Sequence, residues 1–158
     1  MKILKIKIND ELVLIEYKKR SSAEQGGYNK FTIESKEIPA PEFKLNLQEL
    51  GIFVPMMYDL PTEYAEGMVV LGVTFNYRGD DEIMGATVSA KKSVSLSNSS
   101  ALFHTPFTLS SSGSDRPLPD SKFLPVAMVE ILEKLQDNAK DFINGERAQI
   151  EMFAGEAK

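Results

Sequence analysis

Residues 68–92 constrain the fold more than any other part of the sequence. Five apolar side chains alternate there with smaller or polar ones: Val69, Leu71, Val73, Phe75 and Tyr77. This two-residue period is typical of a strand with one buried face. A turn is predicted at 78–82, and residues 83–92 alternate again. The segment therefore predicts a long antiparallel hairpin at the centre of a sheet, with Gly72 and Gly85 near each other across it.

Shorter segments predict the rest of the sheet. Residues 3–8 and 12–17 alternate around a polar turn at 9–11 and predict a second hairpin. Extended pieces are also predicted from Phe31 and around residues 93–97. We therefore expect an antiparallel sheet of about five strands.

One amphipathic helix is predicted near the C-terminal end. Its apolar residues recur at steps of three and four: Leu124, Met128, Ile131, Leu135, Ala139 and Phe142. Asp120 or Ser121 can cap its start, Pro125 fits its first turn, and Gly145 follows its end. The prediction is a single α+β domain over 1–145, with one long C-terminal helix packed on the sheet and a tail over 146–158.

Residues 36–66 contain four prolines, which exclude a long helix or a central strand. Residues 45–50 can form one helical turn ended by Gly51. The peptide Pro55-Met56-Met57-Tyr58 is apolar and has two interpretations. It lines the core under a loop, or it forms a binding surface, since Met and Tyr adapt well to partners.

The residue inventory excludes several kinds of site. With 0 Cys and 1 His, the chain has no thiolate metal site, no cysteine nucleophile and no multi-histidine centre. His104 lacks the motif of a serine hydrolase, and no phosphate-binding glycine loop is present. Residues 80–82 are interpreted as solvated turn acids. We therefore predict no catalytic residue, no metal and no cofactor, and we group Met56, Met57, Tyr58 and His104 as a candidate surface for a ligand or partner.

The charge and hydropathy of the sequence indicate the compartment of the protein and the kinds of partner it can bind. The net charge of −5 argues against direct nucleic-acid binding, because phosphate contacts need a basic surface. The short cluster Lys18-Lys19-Arg20 with Tyr28 leaves a nucleic-acid accessory role open. Lys5 and Lys7 interrupt any signal-peptide core, and no apolar run approaches a membrane span. We expect a cytoplasmic protein with no membrane partner; association of identical copies stays open.

The tail contains a peptide with a specific spacing. Gln149-Ile150-Glu151-Met152-Phe153 resembles the short motif by which bacterial replication and repair proteins dock on the β sliding clamp: Gln, two variable positions, then Leu-Phe or a similar apolar pair. In such a peptide the Gln amide fixes the register, and the apolar pair fills pockets. Ile150, Met152 and Phe153 packing back onto the domain is the alternative.

Residues 81–85 and 143–149 resemble small cytoplasmic proteins encoded by bacteriophages and prophages. The resemblance implies a host-cell cytoplasm and no known catalytic residue. The leading hypothesis is a non-enzymatic protein that docks on the sliding clamp through Gln149, Ile150, Met152 and Phe153. The alternative is an inhibitor of a host defence system that binds a defence protein or sequesters a small nucleotide signal.

Overall fold

The computed structural model describes residues 1–22, 26–112 and 123–148. Seven antiparallel strands form one sheet, in the order β3-β2-β1-β4-β5-β6, and β7 also pairs with β5 beyond the end of β6. The strands are β1 Lys2–Ile8, β2 Val13–Arg20, β3 Tyr28–Ser35, β4 Met68–Arg78, β5 Ile83–Val94, β6 Ser99–His104 and β7 Thr108–Leu109.

Three α-helices lie among the described residues: α1 Pro41–Glu49, α2 Phe53–Met57 and α3 Val126–Ile143. Short 3-10 turns, Leu50–Ile52 and Thr62–Ala65, flank α2. Pro41 stands at the first position of α1, where its missing N–H costs nothing. Pro125 immediately precedes α3.

One face of the sheet and the helices share a single core. Alternate residues of β1, β2, β4 and β5 are buried against α1, α2 and α3. Ile6, Ile15 and Val88 on the strands are 0% exposed, as are Leu132 and Leu135 on α3. Because strand side chains alternate, burying these residues turns their neighbours to the opposite face.

The α+β class, the two hairpins and the long C-terminal helix are as predicted, but two details are corrected. The sheet has seven strands, not about five. Two short helices and a 3-10 turn replace the single helical turn expected at 45–50, because Pro41 and Pro55 are tolerated near helix starts. The proposed caps Asp120 and Ser121 lie outside the described residues.

A β-bulge separates Val70 from Gly72 in β4 and shifts the register against β5. The Gln48 amide satisfies the backbone there: its nitrogen donates to the Val70 carbonyl at 2.8 Å, and its oxygen accepts from the Val70 N–H at 2.9 Å. The register places Gly72 opposite Ser89 and Gly85 opposite Asn76. The expectation that Gly72 and Gly85 lie near each other across the hairpin is therefore wrong, since Gly85 is four residues along β5 from Ser89, the partner of Gly72.

The Tyr77 hydroxyl links three elements of the fold. Its hydroxyl donates to the Ile3 carbonyl at 2.7 Å and accepts from the Gln136 amide at 2.9 Å, which joins β4 to β1 and to α3. Burial raises the pKa of the Tyr77 phenol to about 12. The hydrogen bond from Gln136 lowers this pKa, and the nearby Glu82 carboxylate raises it further. The folded state therefore favours the neutral phenol.

Leu135→Ala should lower the free energy of unfolding by about 2–5 kcal/mol, because it removes a fully buried side chain and leaves a cavity. Chemical denaturation measures the change. Leu45→Ala is the matched control, since Leu45 is 63% exposed on α1, and it should change stability by less than about 0.5 kcal/mol. Equal effects of the two substitutions would mean that the α3 stripe is not the core.

Tyr77 should make the free energy of unfolding fall at alkaline pH. A phenol whose pKa is about 12 when folded and 10.0 ordinarily contributes stability that is complete below pH 10 and lost as pH rises toward 12. Denaturation curves for Tyr77→Phe should show lower stability at neutral pH, from the lost hydrogen bonds, and a smaller decline over this window. Tyr64→Phe, at an exposed position, should follow the wild-type pH profile. An unchanged profile in Tyr77→Phe would contradict this assignment.

Candidate functional site

The sheet face opposite the helices, here called the open face, carries the candidate site. Within the described residues, no helix packs on it. Its side chains follow from the strand registers: Lys7 lies opposite Gly72, Gly72 opposite Ser89, and Ser89 opposite His104. A second row joins Lys5, Thr74 and Thr87 in the same way. Four strands therefore bring residues from distant parts of the sequence into one patch.

A shallow concavity of about 270 Å³ lies over these two rows. Its lining residues are Lys5, Lys7, Gly72, Val73, Thr74, Thr87, Ser89 and His104. None of them is acidic, and two lysines, three hydroxyls and an imidazole face the space. Such a set can donate hydrogen bonds to an anionic oxygen.

Gly72 forms part of the floor of this concavity. A Cβ at this position would lie 2.5 Å from the Ile6 carbonyl oxygen and 2.9 Å from Lys7 Cγ. The first neighbour is backbone of the adjacent strand and cannot move aside cheaply. Glycine is therefore required at this point of the sheet, and its missing side chain leaves the space between Lys7 and Ser89.

His104 forms hydrogen bonds both through its imidazole and through its backbone. On the open face, Nδ1 lies 2.9 Å from Ser89 Oγ. Through its backbone, His104 contacts Tyr58: the Tyr58 hydroxyl donates to the His104 carbonyl and accepts from the His104 N–H at 3.0 Å. The Tyr58 ring also packs edge-on against Phe103, with centroids 5.7 Å apart. The structure thus joins Tyr58 to His104 through the backbone, while the imidazole faces the concavity.

Met56 and Met57, the other two residues of the predicted candidate surface, lie in different environments. Met57 packs against the core, and Met56 is 44% exposed. Neither lines the concavity. Other apolar side chains of the same segment are also exposed: Ile52, Tyr58, Leu60 and Tyr64. The peptide therefore contributes both to the core, through Pro55 and Met57, and to an exposed apolar surface on the helical side.

The basic cluster seen in the sequence surrounds an aromatic ring. Lys18 Nζ lies 4.5 Å from the Tyr28 ring centroid, and the Arg20 guanidinium carbon lies 5.7 Å from it. The Tyr28 hydroxyl reaches Glu82 Oε1 at 3.5 Å, and Lys2 pairs with the same carboxylate. The hydrogen bond from Lys2 lowers the pKa of Glu82 below its usual value, so Glu82 is ionised.

The chain beyond α3 is fixed to the domain as far as the structure describes it. Gly145 adopts φ +109° after the helix end. Arg147 ion-pairs with Glu37 at 3.0 Å, donates to the Phe142 carbonyl at 2.7 Å and lies over the Phe142 ring at 3.6 Å. The Ala148 N–H donates to the Ile38 carbonyl at 2.9 Å. Gln149, Ile150, Met152 and Phe153 lie outside the described residues.

In the sequence, Lys5 and Lys7 were used only to argue against a signal-peptide core. Their i, i+2 spacing, alternating with Ile6 and Ile8, predicts two cations side by side on the face opposite the isoleucines. The pairing with Ser89 and His104 depends on the long-range register and has no local signal.

Three further findings bear on the kind of site. In the described part of the chain, no three His, Asp or Glu side chains come together as metal ligands. No helix in the described ranges is long and apolar enough to cross a membrane. No protein-family model, curated protein or solved structure matches this chain.

Proposed function

We propose that this chain is a non-enzymatic interaction protein that docks on the bacterial β sliding clamp through its C-terminal peptide. The observation that carries the proposal is the spacing of Gln149, Met152 and Phe153, which resembles that of the clamp-docking motif, with Met152 in place of the commoner Leu. Gln149 can fix the register through its amide, and Met152 and Phe153 can act as the two apolar anchors. Ile150 and Glu151 occupy the two variable positions.

The attachment point of this peptide supports the proposal. Ala148, the residue before Gln149, is hydrogen-bonded to Ile38 at the domain surface, and Arg147 holds the preceding turn against Phe142 and Glu37. A short peptide attached at a fixed point explores less space than one on a long linker, which lowers the entropy lost on binding. The clamp is then held beside the C-terminal end of α3.

The resemblance to phage and prophage proteins implies that this docking takes place in a bacterial host cell. In the host cytoplasm, a protein bound to the clamp either recruits the domain to sites of phage DNA synthesis or occupies the surface that host proteins use. Both roles require binding without a chemical reaction, which agrees with the absence of a hydrolase or phosphate-loop motif in the sequence.

A second candidate function is inhibition of a host defence protein through the exposed apolar surface of the helical side. Met56 is 44% exposed and Ile52 is 58% exposed, and both lie on one short segment with Tyr58. Contiguous exposed apolar side chains are typical of protein-binding surfaces. This function needs the helical side and not the tail, so substitutions can separate the two.

The clamp proposal is tested with the full chain and a purified bacterial clamp by isothermal titration calorimetry. The expected affinity is on the order of micromolar, since a peptide loses ordering entropy on binding. Met152→Ala with Phe153→Ala should abolish binding, and Met152→Leu should strengthen it. Glu151→Ala, at a variable position outside the proposed docking residues, should have a much smaller effect. The melting temperature of each variant reports whether the domain still folds.

Met56→Glu is the matched control on the helical side, and it should leave clamp binding unchanged. The clamp proposal is wrong if wild type shows no binding, or if the Met152/Phe153 double variant binds as wild type does. It is also wrong if Met56→Glu removes clamp binding while the double variant retains it, because the apolar surface would then be the docking site.

A further inference from the structure

Charge is segregated between the two layers of this acidic protein. The seven strands contain ten Lys or Arg and two Glu, which gives them a net charge of +8. Residues 41–67 contain one Lys and five acids, and α3 contains two Lys and four acids, so the helical layer carries −6. The overall charge of −5 therefore conceals a basic sheet.

Most of the strand cations belong to the open face, by alternation from the buried positions. They are Lys2, Lys5, Lys7, Lys18, Arg20, Lys30, Arg78 and Lys91. The two strand acids, Glu16 and Glu34, share that face. Cations therefore outnumber acids on the open-face strand positions by eight to two, and the surface is complementary to a polyanion.

Lys5 and Lys7 carry charges on this face that no described acidic side chain pairs with. They are two residues apart on β1, and neither forms an ion pair with any described residue. Glu16 lies opposite Lys5 in the register, but its carboxylate pairs with Lys30 at 3.4 Å. Two neighbouring ammonium groups beside the hydroxyls of the concavity favour the binding of an anionic oxygen between them.

Two aromatic rings flank these lysines on the same face. Tyr28 lies toward the β3 edge with Lys18 and Arg20 against its ring. Phe107 lies over Gly85 on β5, where a Cβ would meet its ring at 2.4 Å, and the Arg78 guanidinium carbon lies 4.9 Å from its centroid. Aromatic rings combined with cations are the elements by which proteins bind single strands without reading sequence.

The shape of the face favours a polymer over a small ligand. The concavity is shallow, whereas pockets that retain small molecules enclose most of the ligand surface. Six neighbouring strands, spaced about 4.8 Å apart, make a face about 24 Å wide. A strand of several nucleotides can cross that width and contact cations along its length.

We propose that the open face binds single-stranded DNA, with backbone phosphates on Lys5 and Lys7 and bases stacked on Tyr28 and Phe107. Binding of a single strand follows from the charges and rings of this face alone. The choice of DNA over RNA rests on the proposed clamp docking, which would hold the domain beside DNA. The net charge and the short cluster Lys18-Lys19-Arg20 argued against nucleic acid in the sequence, whereas the placement of most strand cations on one face follows only from the strand registers.

The test uses the full chain and a fluorescent oligothymidylate of about 20 nucleotides, long enough for one binding site. Fluorescence anisotropy at about 50 mM salt gives the affinity, because phosphate contacts are strongest at low salt. Lys5→Ala with Lys7→Ala should weaken binding by about tenfold or more. The slope of log affinity against log salt should become shallower by about 1.4, or 0.7 for each lost phosphate contact.

Lys44→Ala with Lys134→Ala is the matched control, since it changes the net charge equally at exposed positions of the helical layer. It should leave affinity and salt slope unchanged. Tyr28→Ala should weaken binding, and Tyr64→Ala, at an exposed tyrosine of the helical layer, should not. The Met152/Phe153 double variant should bind the oligonucleotide normally, and the Lys5/Lys7 double variant should bind the clamp normally, so the two proposals fail independently.

The proposal is overturned if wild type does not bind the oligothymidylate, or if the Lys5/Lys7 and Lys44/Lys134 variants bind alike. Equal affinity for duplex DNA would contradict recognition of a single strand. Equal affinity for a mononucleotide would assign the concavity to a small nucleotide signal instead. Tighter binding of oligouridylate would overturn the choice of DNA. Thermal melting should show the Lys5/Lys7, Lys44/Lys134, Tyr28 and Tyr64 variants folded, since their substituted side chains are exposed or half-buried.

Discussion

The burial of one sheet face beneath α1, α2 and α3 determines the rest of this structure. Ile6, Ile15 and Val88 on the strands and Leu132 and Leu135 on α3 belong to one core and have no exposed surface. Because side chains alternate along a strand, this burial assigns the intervening residues to the opposite face, except at the irregularities between Ile3 and Lys5 and between Val70 and Gly72. The hydrophobic effect thus selects which residues stay in water, and in this chain many of them are lysines.

Polar contacts then orient the helices over that core. The Asn46 amide donates to the Asn138 side-chain oxygen at 2.7 Å and joins α1 to α3. The Gln48 amide pairs with both backbone groups of Val70 at the β4 bulge. Leaving such buried groups unpaired would cost free energy, so these contacts favour one packing arrangement of the helices. The bulge also brings Gly72 against β1, and the concavity lies over that point.

The sequence contained enough information for the main elements. Alternation over 68–92 and the stripe from Leu124 to Phe142 are local patterns, and each produced its hairpin or helix. The strand count was too low because β6 is short and serine-rich and β7 has two residues, so neither has a clear period. Helices α1 and α2 were underestimated because proline breaks a helix only away from its first turn.

The candidate site was less predictable for a different physical reason. Lys7, Gly72, Ser89 and His104 lie on four strands, and only the register joins them. Tyr58 and His104 were grouped in advance, but their contact runs through the backbone. The proposed docking peptide shows the opposite case: its prediction depends on local spacing alone and needs no tertiary structure.

The central claim is that the helical layer makes the core and the open face binds a nucleic-acid strand. It is tested most directly by backbone amide NMR spectra of the full chain, titrated with oligothymidylate. The account predicts shifts confined to the strands of the sheet and the segment around Phe107, led by the residues around Lys5, Lys7, Tyr28 and Phe107, with α1 and α3 unaffected. Shifts centred on α1 or α3, or no shifts at saturating oligonucleotide, would contradict it.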